Sequence, residues 1–450
     1  MPRLETTDQI LTELAKGLTS AAALTQRSGQ SLSAISRALR ELIHNGRAIR
    51  IGRTRGATYG RRRAVSDVGS AWPLYQIDRD GEIKELGMLY ALAGDQYYFV
   101  ASKGAIKQGF RPAVITDGLP YFLHDQRPDG FLGRAVPARY PELQLPARVS
   151  DWTDDHYLRY LTQHGSDAVS DLILGEHPLN EYLLARNHRL VIQPTDRERR
   201  YPPLVQQVMQ GGLPGSSAHG EHPKFTALID GLGGPHHVLV KFSPEINSAV
   251  GRRWSDLLIA EHHAHELLRE ALLPACNSRI LVSADRTYLE VERFDRYGRE
   301  GRGGVTSLMA IDLTAHAELD NWVAAARRMR ANHSIDAATL EQIRLIATFG
   351  ELIANTDRHF GNLAFHDDYS GSFRLAPVYD MLPMLFAPLN EQILPRVYVV
   401  PAPTANSQSV WRQARALALR YWQRVAEDQR ISEDFRAISA TCRAAIQAYR

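Results

Sequence analysis

Residues 355–362 read Asn-Thr-Asp-Arg-His-Phe-Gly-Asn, and eighteen residues beyond Asn362, at the end of Phe373-Arg-Leu-Ala-Pro-Val-Tyr-Asp380, stands a further acid. Asp357 and Asn362 are an acid and an amide five residues apart, followed by a short apolar segment and a second carboxylate. Hard oxygen donors of this kind suit a magnesium ion, and a carboxylate within hydrogen-bond reach suits a hydroxyl that must lose its proton. D-x-x-x-x-N alone is a pattern that chance supplies often. Its meaning depends on what lies upstream.

Upstream, four glycines and two serines fall within Gly211-Gly-Leu-Pro-Gly-Ser-Ser-Ala-His-Gly-Glu-His-Pro-Lys224, ahead of a strand-like Phe225–Ile229. Glycines let backbone N–H groups converge on phosphate oxygens without Cβ clashes, although a flexible linker reads the same way. After a turn at 231–234, His237-Val-Leu-Val-Lys-Phe242 reads as a strand ending in Lys241. Trp254–Leu273 carries a helical apolar stripe (Leu257, Leu258, Ala260, Ala264, Leu267, Leu268), with Glu261 twenty residues after Lys241. Arg279–Val282 and Thr287–Val291 predict a hairpin, followed by Glu292-Arg-Phe-Asp-Arg296. A helix over 339–355 leads into the opening motif, and Phe373–Asp380 is expected to be a strand that delivers Asp380. Glycine-rich loop, strand lysine, helix glutamate, Asp/Asn loop and final Asp stand in the order used by protein kinases. His262, His263 and His265 have no Cys, His or Asp set at zinc spacing around them.

The other end of the chain has a different character. Residues 1–65 hold twelve Lys/Arg against four Asp/Glu, a net +8, whereas the whole chain of 450 residues is only +3, which leaves −5 for the rest. A basic head on a mildly acidic body suggests a polyanionic partner at the head. Thr7 or Asp8 is placed to cap a helix with Ile10, Leu11, Leu14 and Leu18, and Thr19–Leu24 starts a second, short helix that ends at Ser28-Gly29. Ser31 caps a third helix, with Ile35, Leu39, Leu42 and Ile43 inward. Asn45-Gly46 stops it, and Ala48–Gly52 and Ala57–Gly60 read as two strands around a basic turn. Three helices and a two-stranded wing resemble a winged helix-turn-helix. Ser33, Ser36, Arg37 and Arg40 would then face DNA from the third helix, with Arg53 and Arg55 on the wing. Arg61-Arg-Arg63 reads as the start of a linker.

Between these parts, Pro73–Ile77, Gly87–Leu92 and Gln96–Val100 predict an antiparallel sheet. A loop rich in Gly, Pro and Arg is expected to about Ala147, and helices over 151–161 and 167–174 follow, with Asn180–Leu184 continuing that character. A 44% apolar and 23% charged composition over this length predicts a soluble chain of two or three domains. No apolar run reaches the length of a membrane span, no signal region opens the chain, and two cysteines, Cys276 and Cys442, make no disulfide framework; a cytoplasmic protein with no membrane partner is expected.

The chain is identified as resembling the HipA-family serine/threonine kinase toxins, in their long YjjJ-type form with an N-terminal DNA-binding domain. The residues that carry the resemblance are Ser216–Lys224, Val238–Lys241, Val291-Glu-Arg-Phe-Asp-Arg296, Asn355–Asn362 and Val378-Tyr-Asp380, across roughly residues 70–450. It implies an α+β, two-lobed PI3/4-kinase-like (HipA-like) fold preceded by the winged helix-turn-helix. The expected division is a head over 1–65, an N-terminal lobe with the phosphate loop over 66–243, and a mostly helical catalytic lobe over 244–450. It implies ATP and Mg2+ as cofactors, with Ser217, Gly220, Lys224, Lys241, Glu292, Phe294, Asn362 and Asp380 at the nucleotide. Asp357 would be the base, Lys241 would hold phosphates, Asn362 and Asp380 would bind the metal, and Ser217 would be autophosphorylated. It further implies a cytoplasmic protein substrate, an aminoacyl-tRNA synthetase in well-known members; the winged head suggests a homodimer. His219 and His222 depart from the family's phosphate loop, and the basic head stands where the family usually has a separate DNA-binding antitoxin. Two alternatives remain open on sequence grounds: a small-molecule phosphotransferase, and a transcriptional regulator whose kinase body is a sensor or inactive.

Overall fold

The computed structural model describes residues 2–54, 56–128, 130–186, 188–210, 222–231 and 233–449. Of the residues singled out above, Arg55 and the glycine-rich stretch over 211–221, with Ser217, His219 and Gly220, lie outside the described residues.

The chain starts with three helices, α1 (Pro2–Leu14), α2 (Ala21–Ser28) and α3 (Leu32–His44), and three short strands, β1 (Thr19–Ser20), β2 (Ala48–Ile51) and β3 (Thr58–Arg61). The strands form a sheet in the order β1-β3-β2. The first helix begins at Pro2 rather than at Thr7 or Asp8, a residue type well suited to a helix's first turn because it has no N–H to satisfy. Thr19-Ser20 is a strand, and Ser20 caps α2 by accepting from the Ala23 amide at 3.2 Å. Ser31 caps α3 through the Ala34 amide at 3.3 Å. Ile10, Leu11, Leu14, Leu24, Ile35, Leu39 and Leu42 form the common core.

Arg61–Arg63 is not a linker. The Arg63 amide donates to Ala91 O, its guanidinium donates to Asp155 at 2.5 Å and to Tyr97 Oη at 3.2 Å, and Arg62 pairs with Leu92 in a β-bridge. The basic head is therefore joined edge-on to the next sheet. That sheet contains β4 (Ala71–Ile77), β5 (Ile83–Ala91), β6 (Gln96–Ala101), β7 (Ala113–Asp117) and β8 (Leu172–Leu174), in the order β7-β6-β5-β4-β8. At Gly87, with φ +150°, a Cβ would lie 2.0 Å from Val100 O, so only glycine allows β5 and β6 to approach there. A short helix α4 (Lys103–Lys107) lies between β6 and β7. After β7 come α5 (Tyr121–His124), α6 (Gly130–Arg139) and α7 (Asp154–His164). The Gly/Pro/Arg-rich stretch is thus partly helical. The helix expected over 167–174 is replaced by β8, whose Leu-Ile-Leu run is buried on both faces against β4.

Beyond α8 (Glu176–Arg186), β9 (Val191–Ile192) and α9 (Arg197–Met209) lies a second five-stranded sheet. Its remaining members are β10 (Lys224–Ile229), β11 (His236–Phe242), β12 (Ser278–Val282) and β13 (Thr287–Glu292), ordered β12-β13-β11-β10-β9. The long helix α10 (Ala249–Glu270) sits between β11 and β12 in the chain and packs on β12 and β13. α9 is tied to this sheet by a buried pair, Arg197 Nε to Glu290 Oε1 at 2.5 Å. A small hairpin, β14 (Arg296–Tyr297) with β15 (Gly301–Arg302), follows, and then β16 (Val305–Ser307), α11 (Leu308–Ala315), α12 (Trp322–Ala331) and α13 (Ala337–Leu352). β17 (Ala364–Asp367) and β18 (Phe373–Leu375) pair beside β16 in the order β16-β17-β18. The last helices, α14 (Trp411–Glu427) and α15 (Glu433–Ala448), close a core with α10, α12 and α13 around Leu267, Phe349, Leu352, Tyr421, Trp422 and Phe435. Cys276 and Cys442 are both buried free thiols.

Candidate active site

The site forms where β10, β11 and α10 meet the loop after α13. Lys224 and Lys241 are opposite each other in the β10–β11 register, both buried. Twenty residues on, α10 carries Glu261 back under the sheet, and Lys241 Nζ donates to both of its oxygens, at 2.6 and 2.7 Å. Lys241 also donates to Asp380 Oδ1. Burial works against the Lys241 ammonium, but the carboxylates of Asp380 and Glu261 outweigh it and hold its pKa above the ordinary lysine value. Burial likewise opposes ionisation of Asp380. Lys241 and Lys224 prevail, and Asp380 is pulled down to about 2.

Asp380 is not the end of a strand. β18 stops at Leu375, and Asp380 has φ +52°, a left-handed conformation in which an aspartate is tolerated far better than a branched residue. Its backbone is fixed from both directions. The Asp380 amide donates to Glu261 Oε1 at 3.2 Å, and Asn355 Nδ2 donates to Asp380 O at 3.2 Å.

The opening motif forms a tight loop after α13. Asn355 Oδ1 accepts from the Asp357 amide at 3.0 Å, and Asn362 Nδ2 donates to Asp357 O at 2.8 Å. Arg358 reaches back to Asn355 O, and His359 Nδ1 accepts from the Gly361 amide at 3.0 Å. Tyr379 Oη donates to Gly361 O at 2.6 Å, which ties the loop to the segment bearing Asp380. Burial raises the Asp357 pKa, with His359 opposing and Asp380 adding to it.

Asp357, Lys224, Lys241, Glu261 and Asp380 all line one cleft of about 1080 Å3. A smaller cavity of about 120 Å3 adjoins it, lined by Leu239, Cys276, Val291, Glu292, Phe294 and Tyr379 among others. Glu292 and Phe294 thus lie at the apolar end. Glu292 accepts from Asn277 Nδ2 at 2.8 Å, and the Phe294 ring sits 5.8 Å from that of Tyr379. The structure brings together Asp357, Lys224, Lys241, Glu292, Phe294, Asn362 and Asp380, drawn from stretches up to 156 residues apart in sequence. The donor set is hard oxygen with ammonium, joined to a flat apolar slot, and it fits a magnesium-bound nucleotide. Asp380 and the Asn362 Oδ1 would hold the ion. Among the described residues no group of three His, Cys, Asp or Glu is arranged for a metal, so phosphate oxygens would have to complete the shell.

Further residues line the cleft. His222 is half-buried and packs against Trp254 (ring centroids 4.6 Å apart), with Nε2 donating to Phe242 O at 3.0 Å. Burial first, then Lys241 and Lys224, push its pKa down to about 3, so it is a neutral imidazole beside the lysines. One wall of the cleft comes from the first five-stranded sheet's side of the chain: Asp125, Arg127, Ser150 and Tyr157. Asp125 accepts from the Ser307 amide and hydroxyl, both at 2.5 Å, and Arg127 bonds Asp154 at 2.8 Å while lying 4.6 Å over the Tyr157 ring. Only long-range packing assembles this wall.

The DNA-facing candidates form a separate group. Ser33, Arg37 and Arg40 are exposed on α3 and Ser36 is half-buried; Arg53 is exposed beyond β2. Arg40 Nε folds back to Ser36 O at 3.2 Å, and Ser33 Oγ pairs with Ser31 Oγ at 3.0 Å.

Comparison with known proteins bears on the fold and the family. Over most of its length the chain superposes on a chain of the Shewanella oneidensis MR-1 toxin–antitoxin complex of HipA, HipB and operator DNA, at TM-score 0.52 and 15% identity, covering 84% of this chain and 96% of that one. The fold is therefore a mixed α/β, HipA-like one. Residues 216–449 match the HipA-like C-terminal domain family, and residues 68–183 match the middle domain of YjjJ-like toxins. Toxin YjjJ of Escherichia coli (strain K12) is 34% identical over 438 residues, 97% of this chain and 95% of that protein. The chain belongs to the HipA-like family and, within it, to the YjjJ-like toxins. The Helicobacter pylori proinflammatory kinase CtkA is a more distant neighbour, at 12% identity and TM-score 0.34 over 52% of this chain. Among the described residues no helix is long and apolar enough to cross a membrane.

Proposed function

We propose that this protein is an ATP- and Mg2+-dependent serine/threonine protein kinase of the HipA toxin type. The observation that carries the reading is the joining of Lys241, Glu261 and Asp380 by direct ion pairs, in a cleft shared with Asp357. In this reading Lys241, with Lys224 beside it, holds the phosphates, and Asn362 and Asp380 hold the metal. Glu292 and Phe294 line the slot for the base. When bound, Mg-ATP supplies an electrophilic γ-phosphoryl group. Asp357 then accepts the proton of the attacking hydroxyl, its position set by Asn355 and Asn362, and the site's charges meet those that develop on the phosphoryl oxygens. Ser217, in the glycine-rich segment, is the proposed autophosphorylation site; a phosphate there would add negative charge beside the segment's own nucleotide site and switch it off.

The proposed division is a DNA-binding head over 1–65, an N-terminal lobe over 66–243 and a catalytic lobe over 244–450. The order of helices and strands in the head, its net +8 charge and the exposure of Arg37, Arg40 and Arg53 favour DNA binding. The substrate is proposed to be a cytoplasmic protein, with an aminoacyl-tRNA synthetase as the first candidate.

The test is incubation of purified protein with Mg2+ and γ-labelled ATP. Label is expected on the protein itself at Ser217, and on a protein substrate by phosphoproteomics, and Asp357→Ala should abolish both. Label on a metabolite would make it a small-molecule phosphotransferase. Absence of transfer, with salt-dependent DNA binding that survives Asp357→Ala and Lys241→Ala, would make it a regulator with an inactive body.

A further inference from the structure

The segment after Asp380 has a form that neither the fold nor the nucleotide site requires. Past a single 3-10 turn over Met384–Phe386, of which Phe386 is buried, the chain reaches the cleft at Pro388 and Glu391. There Leu389 and Gln392 exchange both backbone hydrogen bonds, at 2.9 and 3.0 Å, and Asn390 and Glu391 between them have φ +47° and +60°. This is a two-residue hairpin turn with both central residues left-handed, the geometry that normally joins two paired strands. Neither residue is glycine, so the turn is held at some strain beside the cleft.

The strand that such a turn normally leads into is not formed. From Ile393 to Ala402 no backbone amide donates to another backbone carbonyl, and no helix or strand is formed. The segment is nonetheless anchored. Tyr398 Oη donates to Leu352 O at 2.7 Å, its ring lies 6.2 Å from Trp422, and Val400 packs on the same helical core. Leu352 ends α13, immediately before the loop that carries Asp357. Facing away from these anchors, Val397 is 83% exposed and Val399 76%, with Leu389, Ile393 and Leu394 exposed alongside. Large apolar side chains, with backbone amides unpaired at every position but Pro395, which has none to offer, together make an edge that invites pairing with another extended chain.

We propose that Ile393–Val400 is the docking edge for the acceptor segment of a protein substrate. The segment lies along it in extended form, pairs backbone to backbone, sets apolar side chains against Val397 and Val399, and passes its serine or threonine over Pro388 and Glu391 to Asp357. Continuity favours this occupant over a second copy of the chain, since Glu391, two residues before the edge, lines the catalytic cleft and Tyr398, within the edge, is bonded to the last residue of the helix before the catalytic loop. From Glu391 to Val397 an extended chain spans about 20 Å, so a peptide acceptor needs roughly six residues on one side of its hydroxyl. The inference rests on the kinase reading above.

The experiment uses the full chain with Mg-ATP and a library of synthetic peptides with a central serine and randomised apolar flanks. Val397→Asp combined with Val399→Asp should leave autophosphorylation within about twofold, while KM for the selected peptides rises about tenfold or more with kcat retained. Val397→Thr with Val399→Thr, which keeps β-branching, should restore KM to within about twofold. N-methylation of alternate amides in the best peptide should raise KM comparably. Docking is overturned if KM is the same in the aspartate variant and the wild type, or if the protein labels itself but no library peptide. It is also overturned if sedimentation shows a wild-type dimer that the aspartate variant dissociates with KM unchanged, since the edge would then belong to a second copy. A wild type that labels nothing at all defeats the kinase reading, and this inference with it.

Discussion

Lys241 and Glu261 are joined head-on, the ammonium on both carboxylate oxygens, with the Glu261 side chain wholly buried. Removing one partner leaves the other as an uncompensated buried charge, a loss worth ~3–5 kcal/mol. Lys241→Met strands two carboxylates, Glu261 and Asp380, whereas Glu261→Gln leaves Lys241 its bond to Asp380. The first substitution is therefore expected to lower the urea midpoint more than the second. Both should abolish the rise in Tm caused by Mg-ATP, and calorimetry with and without the nucleotide checks each.

Asp367 makes a distinctive pH dependence. Burial, with the charge of Asp171 adding to it, pushes its pKa up to about 6 against the pull of the Tyr369 amide and the Thr306 hydroxyl. The folded value lies above the unfolded one, so the folded protein binds the extra proton between them and stability falls as pH rises from about 4 to about 6. Two pKa units correspond to roughly 3 kcal/mol. Asp367→Asn, which keeps an oxygen for the Tyr369 amide, should flatten most of that fall. Asp171, raised by burial in the same sense, leaves a residual slope. Urea midpoints from pH 4 to 7 measure the difference.

What could be read from the sequence follows how local the causes are. The Ser31 cap and the inward stripe of α3 follow from spacing within one element. Errors arose where distant packing decided. Leu172-Ile-Leu174 has no period that separates a buried strand from a helix, and only its pairing with β4 settles it. Arg61–Arg63 looks like solvated linker until Asp155, ninety-two residues away, is brought beside Arg63. Asp125, Arg127 and Tyr157 had no signal at all, because their place in the cleft depends on a contact with Ser307, 182 residues from Asp125. Asp380 stands out in the sequence, but the strand expected to deliver it gives way to a left-handed residue held by Glu261 and Asn355.

Asn362 has two separable jobs. Its Nδ2 fastens the loop by donating to Asp357 O, and its Oδ1 is the proposed metal ligand. Asn362→Ala should cost ~1–1.5 kcal/mol of stability from the lost hydrogen bond alone, measured without metal. With Mg2+ titrated at fixed ATP, the concentration needed for half-maximal transfer should rise about tenfold or more. Asn362→Asp, which keeps the oxygen but loses the donor, should recover the metal response better than the stability.

Arg296 shows why one particular cation is needed at the join between the slot and the first five-stranded sheet. Its Nη1 donates to Ser170 O at 2.9 Å and Asp295 Oδ2 at 2.6 Å, and its Nη2 to Ala168 O at 2.7 Å and Asp167 Oδ1 at 3.2 Å. The side chain is buried, as is Asp295, which Arg293 also holds, at 2.8–2.9 Å. Arg296→Ala leaves Ser170 O, Ala168 O and the Asp167 carboxylate without this donor and should destabilise by ~3–5 kcal/mol. Arg296→Lys keeps the charge, but a lysine cannot reproduce two planar pairs of donors at once and should recover less than half of the loss. Phe294 lies two residues from Arg296 and lines the apolar slot, so the Mg-ATP-induced rise in Tm should shrink in both variants even where each is still folded. Equal stability of Arg296→Lys and the wild type in urea would mean that charge alone, not the fork of donors, holds this join.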